Sequence, residues 1–516
     1  MNRLRRFILN GIIMAVVSVV MRSVAVAFNI YISNKIGAVA MGLFSLISTV
    51  YGFGVTFATS GINLATTRVL AQAIGDTSGK DGIKAAKNTG NVRCIMRRCV
   101  LYSLFFSVIA TVFLWFSAEF LGVSVLRDVR TIRSLRILSL TFVPLSLSSV
   151  FCGYFSAVRQ VSKNAFTMIV GQGVKIYASI ALLSAIFSSD VESACVAVVL
   201  GGAIAELLSF ILCLFLYMCD RKKATSSLSD TEKKKATRDV LGNALPLAFS
   251  TYMRSALVTI EHILIPRGLE KSGSSKDLSL AAYGTVSGMV FPLVLFPSAV
   301  SAAFAGLLIP EVAESSETGD IKRIHGIINT VMETVLTFSI GCAGIIMSFS
   351  LELGRTVYPN ADNAGNFILV IAPLIPVMYL DTAVDAMLKG MGEHVYSMCV
   401  NIADALISVI LVALLLPKMG IYGYIVTVYF TEILNATLSI TRLLSKSKVK
   451  TRAILWVSRA LVCVVAATRI THMISFGGVW VRIVSAGGVY VLFMMICGGI
   501  KPRVVADRVR YMIKER

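Results

Sequence analysis

Three cations stand inside stretches that are otherwise apolar: Arg22, Lys175 and Arg254. A guanidinium presents a planar fork of donors that matches the oxygens of a phosphate, and an ammonium supplies a point charge. Near mid-membrane such a charge costs at least ~2.5–3.5 kcal/mol on insertion scales, and it faces a wet cavity or a partner. The two arginines are matched in their surroundings. Met21-Arg22-Ser23 returns as Met253-Arg254-Ser255, an offset of 232 residues, and the same offset carries Ser18 onto Ser250, Asn29 onto Glu261 and Pro144 onto Pro376. The pattern predicts a duplicated six-helix unit and a positively charged cavity between two lobes. There Arg22, Lys175 and Arg254 could cradle a diphosphate or another anionic head-group. The competing reading is that each cation is neutralised by an internal acid and locks helices together.

The acids are candidates for ion coupling. Arg254 and Glu261 are seven residues apart, hence on one helical face and ~10.5 Å apart along the axis. Asp381 and Asp385 lie one turn apart, and Asp404 falls on the next helix. Carboxylates on neighbouring helices can bind Na⁺ or relay protons with coupled titration. Pairing with Arg254 or capping a helix near the membrane edge would explain the same residues. Glu206, Glu333 and Glu432 have no partner by position. Pro144, Pro373 and Pro376 are placed to kink the fourth and tenth helices.

Soluble-enzyme signatures are missing. Gly75 to Lys80 lacks the glycine spacing of a phosphate loop, and Asp81 stands where Ser or Thr would hold Mg²⁺. No Cys-x-x-Cys pair or His-Glu-x-x-His run occurs, and the chain has four histidines. The ten cysteines mostly fall in apolar runs, where thiols act as small hydrophobes. The sequence therefore predicts no enzyme, no cofactor and no nucleotide engine. Any transport draws on Na⁺ or H⁺, the membrane potential or the substrate's own gradient.

Composition defines the elements that must position these residues. Of 516 residues 56% are hydrophobic, with a mean hydropathy of +0.79. Apolar runs long enough to cross ~30 Å of hydrocarbon recur through the chain. Unpaired backbone is too costly in lipid for anything but helices or a closed barrel, and no barrel alternation is present. We read an all-α polytopic membrane protein with 14 transmembrane helices. Spans 1–6 fall at about 7–32, 41–65, 100–116, 135–157, 166–186 and 194–218, forming an N-lobe over 1–219. A Lys/Ser/Thr-rich segment, 220–239, reads as a flexible cytoplasmic linker. Spans 7–12 fall at about 240–265, 281–309, 324–348, 367–388, 395–416 and 421–444, forming a C-lobe over 240–445. Spans 13 and 14, about 453–467 and 479–500, make an appended hairpin within 446–500, and 501–516 is a basic tail.

The polar stretch 66–98 reads as two short surface helices around a turn at Gly75 to Gly79. Six spans per lobe make the repeat parallel, with its pseudo-two-fold axis along the membrane normal. The formal charge of +21 does not point to nucleic acid. Most of the 49 Lys and Arg lie in segments predicted to face the cytoplasm, together with both termini. The opening Arg3, Arg5 and Arg6 precede an apolar run too long for a cleaved signal core.

The chain also resembles a known family. Gly61-Ile62-Asn63-Leu64-Ala65-Thr66-Thr67-Arg68, Ile74-Gly75-Asp76, Gly153-Tyr154-Phe155-Ser156-Ala157, Leu388-Lys389-Gly390-Met391-Gly392 and Met419-Gly420-Ile421-Tyr422-Gly423 carry the likeness. In order and spacing they are similar to the stage V sporulation protein B-like polysaccharide transporters. That family lies in the multidrug/oligosaccharidyl-lipid/polysaccharide exporter superfamily, which also holds the lipid II flippases. The resemblance implies alternating access between two six-helix lobes and, in the lipid II branch, a cationic cavity. It implies a cavity role for Arg22, a basic position at Lys175, and a lipid-tail role for the last two helices. Ala157 and Val158 depart from the glycine-rich turn that Gly390-Met391-Gly392 keeps in the second half.

The expected activity is translocation of a lipid-linked oligosaccharide or lipid II-like precursor across the cytoplasmic membrane. A cation-coupled drug antiporter of the same superfamily, or a non-transporting cell-envelope scaffold, are the alternatives.

Overall fold

The computed structural model describes residues 2–77, 90–186, 190–220, 230–361, 363–474 and 477–498. Among them there is no strand. Contacts divide the chain into two compact units, 43–264 and 1–42 with 265–516. Among the described residues ten helices are long and apolar enough to cross a membrane, or eleven if the pair Val129–Ser139 and Phe142–Ala157, bent by 43°, counts as one. The expectation of fourteen is therefore not met by length and composition among the described residues. One reason is that spans 1 and 2 fall within a single element, 16–74, that passes as one.

That element begins with α1 (Asn2–Thr59), which breaks at Gly37, φ 80° and ψ 173°. This is backbone that a Cβ would disfavour. A second break follows at Ser60 and Gly61, with φ 48° and 70°, before α2 (Ile62–Thr77). Span 2 thus stops earlier than its apolar run, and Asn63 to Arg68 belong to a new helix. Helix α3 (Gly90–Phe120) absorbs the polar residues ahead of span 3, because a helix entering lipid keeps its backbone bonded to itself. Residues 78–89, which carry the end of the expected Gly75–Gly79 turn, lie outside the described residues.

Helices α4 (Ile132–Ser139), α5 (Phe142–Ala157), α6 (Val161–Ile186) and α7 (Val191–Asp220) complete spans 4–6. Span 4 bends just before Pro144. The α6–α7 pair is the most extensively packed in this unit, and α5 lies against α2, α3 and α7. Its core includes Ile62, Leu70, Cys99, Val150, Phe155 and Ala244. Of the linker 220–239, Asp220 ends α7 and residues 221–229 lie outside the described residues. From Asp230 the chain is already helical, as α8 (Asp230–Lys271). The flexible reading is thus corrected for 230–239, whose Glu and Lys residues are good helix formers despite the lack of an apolar stripe.

In the other unit span 8 is broken. It contains α9 (Lys276–Tyr283), a π-helical stretch Gly284–Val290, α10 (Phe291–Leu295) and α11 (Ser298–Thr318). Asp320 caps α12 (Ile321–Ser348), its side chain accepting from the Arg323 N–H at 3.1 Å. After α13 (Ser350–Val357), span 10 is split into α14 (Ala364–Ile371), a 3₁₀ turn Ala372–Leu374 and α15 (Ile375–Gly390). Pro373 and Pro376 sit at the starts of the last two, as a residue without an N–H should. Helices α16 (His394–Met419) and α17 (Ile421–Ser447) match spans 11 and 12.

Helices α18 (Ala453–Ile474) and α19 (Val479–Ile496) form the hairpin. It packs on α12, where Gly341 and Gly344 leave a flat surface. A Cβ at Gly341 would stand 2.4 Å from the Tyr490 ring, and one at Gly344 2.5 Å from Val464. The Tyr490 hydroxyl donates to the Thr337 carbonyl at 2.7 Å. Residues 501–516, the expected basic tail, lie outside the described residues.

Candidate functional site: cations within the spans

Arg254 is exposed on α8, and two of its neighbours anchor the helix beside it. The Tyr252 hydroxyl shares a short hydrogen bond with Ser60 Oγ, which also pairs with the Tyr102 hydroxyl at 2.9 Å. Ser255 Oγ donates to Thr56 Oγ1 at 3.3 Å. These contacts hold the turn at residues 56–60 and fix the rotation of α8, with Arg254 left outside the network. Among the described residues Arg254 forms no ion pair and no side-chain hydrogen bond. Glu261, two turns on, is half-buried and makes contacts of its own.

Lys175 is half-buried on α6, within coulombic reach of Glu206 on α7. Sequence spacing gave Glu206 no partner, since helix-to-helix pairing across a hairpin depends on rotation that linear distance does not encode. Lys175 and Arg254 belong to unit 43–264, and Arg22 to the other.

Arg22 is exposed on the first arm of α1, in coulombic reach of the buried Tyr379 on α15. The Tyr379 hydroxyl is already committed, donating to the Val294 carbonyl at 2.8 Å. Like Arg254, Arg22 forms no ion pair or side-chain hydrogen bond among the described residues. Two turns along the same helical face, Asn29 has a buried Oδ1 with no hydrogen-bond donor among the described residues.

The remaining acids divide by their surroundings. Asp385 accepts a short hydrogen bond from Ser397 Oγ on α16 and pairs with Lys389 Nζ at 2.5 Å, so it ties α15 to the next helix. Asp381 and Asp404 are half-buried on α15 and α16. Two other arginines in the spans are paired. Arg459 lies 3.8 Å from Glu333, and Arg482 grips Glu352 with two nitrogens while its guanidinium sits 5.6 Å from the Phe349 ring centre.

Sequence reading also missed a pair of clasps at the helix ends. In unit 43–264, Asp220 accepts from the Tyr154 hydroxyl at 2.9 Å and from Gln160 Nε2 at 3.2 Å, and pairs with Lys163 at 3.3 Å. In the other unit Glu393 pairs with Arg442 at 2.7 Å and Lys446 at 2.9 Å. The acid is on the final helix of the half in the first case. In the second it is on the turn between α15 and α16, so the two clasps have opposite polarity. Residue identity is not kept between the copies, which is why a search for repeated letters passes over them.

Comparison with known proteins gives this geometry a family. Residues 7–316 match the family model described as polysaccharide biosynthesis protein. Over 337 residues the chain is 23% identical to the lipid II flippase MurJ of Bacillus subtilis, a match covering 60% of this chain and 59% of that protein. The chain's match thus spans less than two thirds of that relative's length. Among solved structures, a lipid II flippase MurJ in an inward closed conformation superposes with a TM-score of 0.70 at 12% identity, covering 94% of this chain and 98% of the other. An inward-facing multidrug resistance MATE family transporter of the MOP superfamily gives 0.65 at 13% identity, covering 84% and 98%. These likenesses establish the fold. By the family model, the chain belongs to the polysaccharide biosynthesis protein family, and it has the all-helical fold of these two structures, with multiple helices long and apolar enough to cross a membrane.

Proposed function

We propose that the protein is a flippase of the cytoplasmic membrane that carries a polyisoprenyl-diphosphate-linked oligosaccharide or peptidoglycan precursor between leaflets. In this reading the lobes 1–219 and 240–445 alternate in access, and both termini are cytoplasmic. The observation that carries the proposal is the state of Arg22 and Arg254: matched by sequence, exposed, and without ion pairs or side-chain hydrogen bonds among the described residues, Arg22 on a helix apolar enough to cross a membrane and Arg254 within the expected span 7. An uncompensated guanidinium in hydrocarbon is too costly to serve packing, so each calls for water or an anion. A diphosphate supplies that anion, with oxygens matched to the guanidinium fork. Lys175 adds a third cation, moderated by Glu206. The chain would supply charge to the head-group in place of water while the isoprenoid tail stays in lipid.

Glu261, Asp381 and Asp404 are the proposed sites of Na⁺ or H⁺ coupling. Asp385 joins them only by exchanging Lys389 for an ion. Neutralising a coupling acid should abolish the dependence of transport on Na⁺ or pH and leave substrate binding in place.

Reconstitution into vesicles with fluorescent lipid-linked oligosaccharides and, separately, small cationic drugs tests the reading. Oligosaccharide-lipid movement supports it. Drug movement alone would make the protein an antiporter, and movement of neither would make it a scaffold. Orientation is checked separately: a cysteine at Ser227, in a background lacking native cysteines, should resist labelling from outside intact cells.

A further inference from the structure

We infer that the segment joining α17 to α18 is a binding site for anionic phospholipid head-groups. Helix α17 is closed by Lys448, whose left-handed backbone (φ 54°) turns the chain out of the helix, and 448–452 make a non-helical connection to α18. Exposure alternates along the connection. Here Ser447 and Val449 are buried, while Lys446, Lys448, Lys450 and Arg452 are exposed. The ribbon is pinned on its inner side, since His325 Nε2 on α12 bonds the Ser447 carbonyl at 2.8 Å. The cations at 448, 450 and 452 cannot rotate inward without unseating Val449. They form an exposed cationic row along the connection.

Local charge leaves this row uncompensated. Glu393, which reaches this end of α17, is held by Arg442 and Lys446. No Asp or Glu occurs in sequence between Glu432 and Asp507. Among the described residues Lys448, Lys450 and Arg452 form no ion pair or side-chain hydrogen bond.

The neighbouring surface identifies the occupant as a lipid. Ile454, two residues past Arg452, is 88% exposed, and Leu455 is 49% exposed at the start of a span. Exposed aliphatic side chains beside exposed cations fit the boundary where hydrocarbon gives way to phosphates, and suit a soluble acidic partner poorly. This inference does not depend on what the protein transports.

The test is native mass spectrometry after exchange in nanodiscs of phosphatidylcholine with or without phosphatidylglycerol, at low and high salt. Each cation near an anionic surface contributes about fivefold. The triple variant Lys448→Gln, Lys450→Gln, Arg452→Gln should lose at least tenfold in preferential retention of phosphatidylglycerol, and high salt should erase the difference. The charge-keeping variant Lys448→Arg, Lys450→Arg, Arg452→Lys should retain it. Lys446→Gln, which removes a cation already held by Glu393, should change retention little. Thermal unfolding of each variant separates lost binding from lost fold. Unchanged retention in the glutamine variant, or equal loss in both triple variants, would overturn the inference. So would preferential capture of an acidic peptide over phosphatidylglycerol.

Discussion

Four of the arginines in or at the edges of the expected spans fall into two groups. In the α18–α19 hairpin, Arg459 and Arg482 each have an acid: Glu333 for one, Glu352 for the other, with the Phe349 ring beside Arg482. At the repeated positions, Arg22 and Arg254 are exposed and have no such partner among the described residues. The cost of immersing a guanidinium is met inside the protein in the first group, and must be met from outside in the second. Paired arginines hold helices to one another, whereas unpaired ones are open to a ligand. The contrast bears on the two readings that sequence offered for these cations, a head-group cradle or a lock between helices.

The contrast breaks first in transport. Arg22→Ala and Arg254→Ala should each reduce lipid-linked oligosaccharide flipping by about ten- to hundredfold, the scale of one or two charge-assisted hydrogen bonds, at unchanged thermal stability. Counter-flow in vesicles with matched protein amounts measures it. Equal loss of stability would move these arginines into the structural group.

The hairpin should fail in the opposite sense. Gly341→Leu places a side chain where the Tyr490 ring lies and should cost ~1–3 kcal/mol by overpacking, read by thermal unfolding in detergent. Arg482→Ala should cost less, ~1–2 kcal/mol, between the values for exposed and buried pairs, because Glu352 is 38% exposed. In both variants flipping per folded molecule should stay near wild type. A selective loss of flipping would give the hairpin arginine a ligand role and erase the distinction.

The smallest effect concerns Glu393. Hydrogen bonds from Arg442 and then Lys446 hold its carboxyl below the usual glutamate value of 4.5. Its folded-state value is depressed, so its contribution to stability is present above pH 4.5 and is lost as pH falls through the folded value. Glu393→Gln should flatten that part of the melting-temperature profile between pH 6 and 3 and leave neutral-pH flipping unchanged. A profile identical to wild type would mean that the clasp is silent.

Much of this architecture is legible in the letters, and the exceptions are physical. Spans 5, 6, 9, 11, 12 and 13 begin within five residues of their helices, because long apolar runs with polar ends fix helix limits well. Pro373 and Pro376 announced the break in span 10, since proline removes a donor wherever it stands. The π stretch Gly284–Val290 had no such marker, and neither did the break at Ser60, which tertiary bonds to Tyr102 and Tyr252 accompany. At the candidate site, the repeat disclosed Arg22 and Arg254 by identity alone. What it could not disclose is pairing: Asp385 with Lys389 and Ser397, Lys175 near Glu206, and the clasps around Asp220 and Glu393 all depend on helix rotation.

The proposal that Arg22 and Arg254 act on the charge of one substrate head-group is tested most directly by a double-mutant cycle on binding of a diphosphate-linked oligosaccharide. The account predicts that each alanine weakens binding and that the double variant loses less than the sum, because residues sharing a partner are not additive. Lysine at either position should restore part of the loss, keeping the charge without the fork. A lipid carrying the same sugar without phosphate should be indifferent to all of these changes. Strictly additive losses that follow protein abundance, and that are equal for the charged and uncharged lipids, would contradict it.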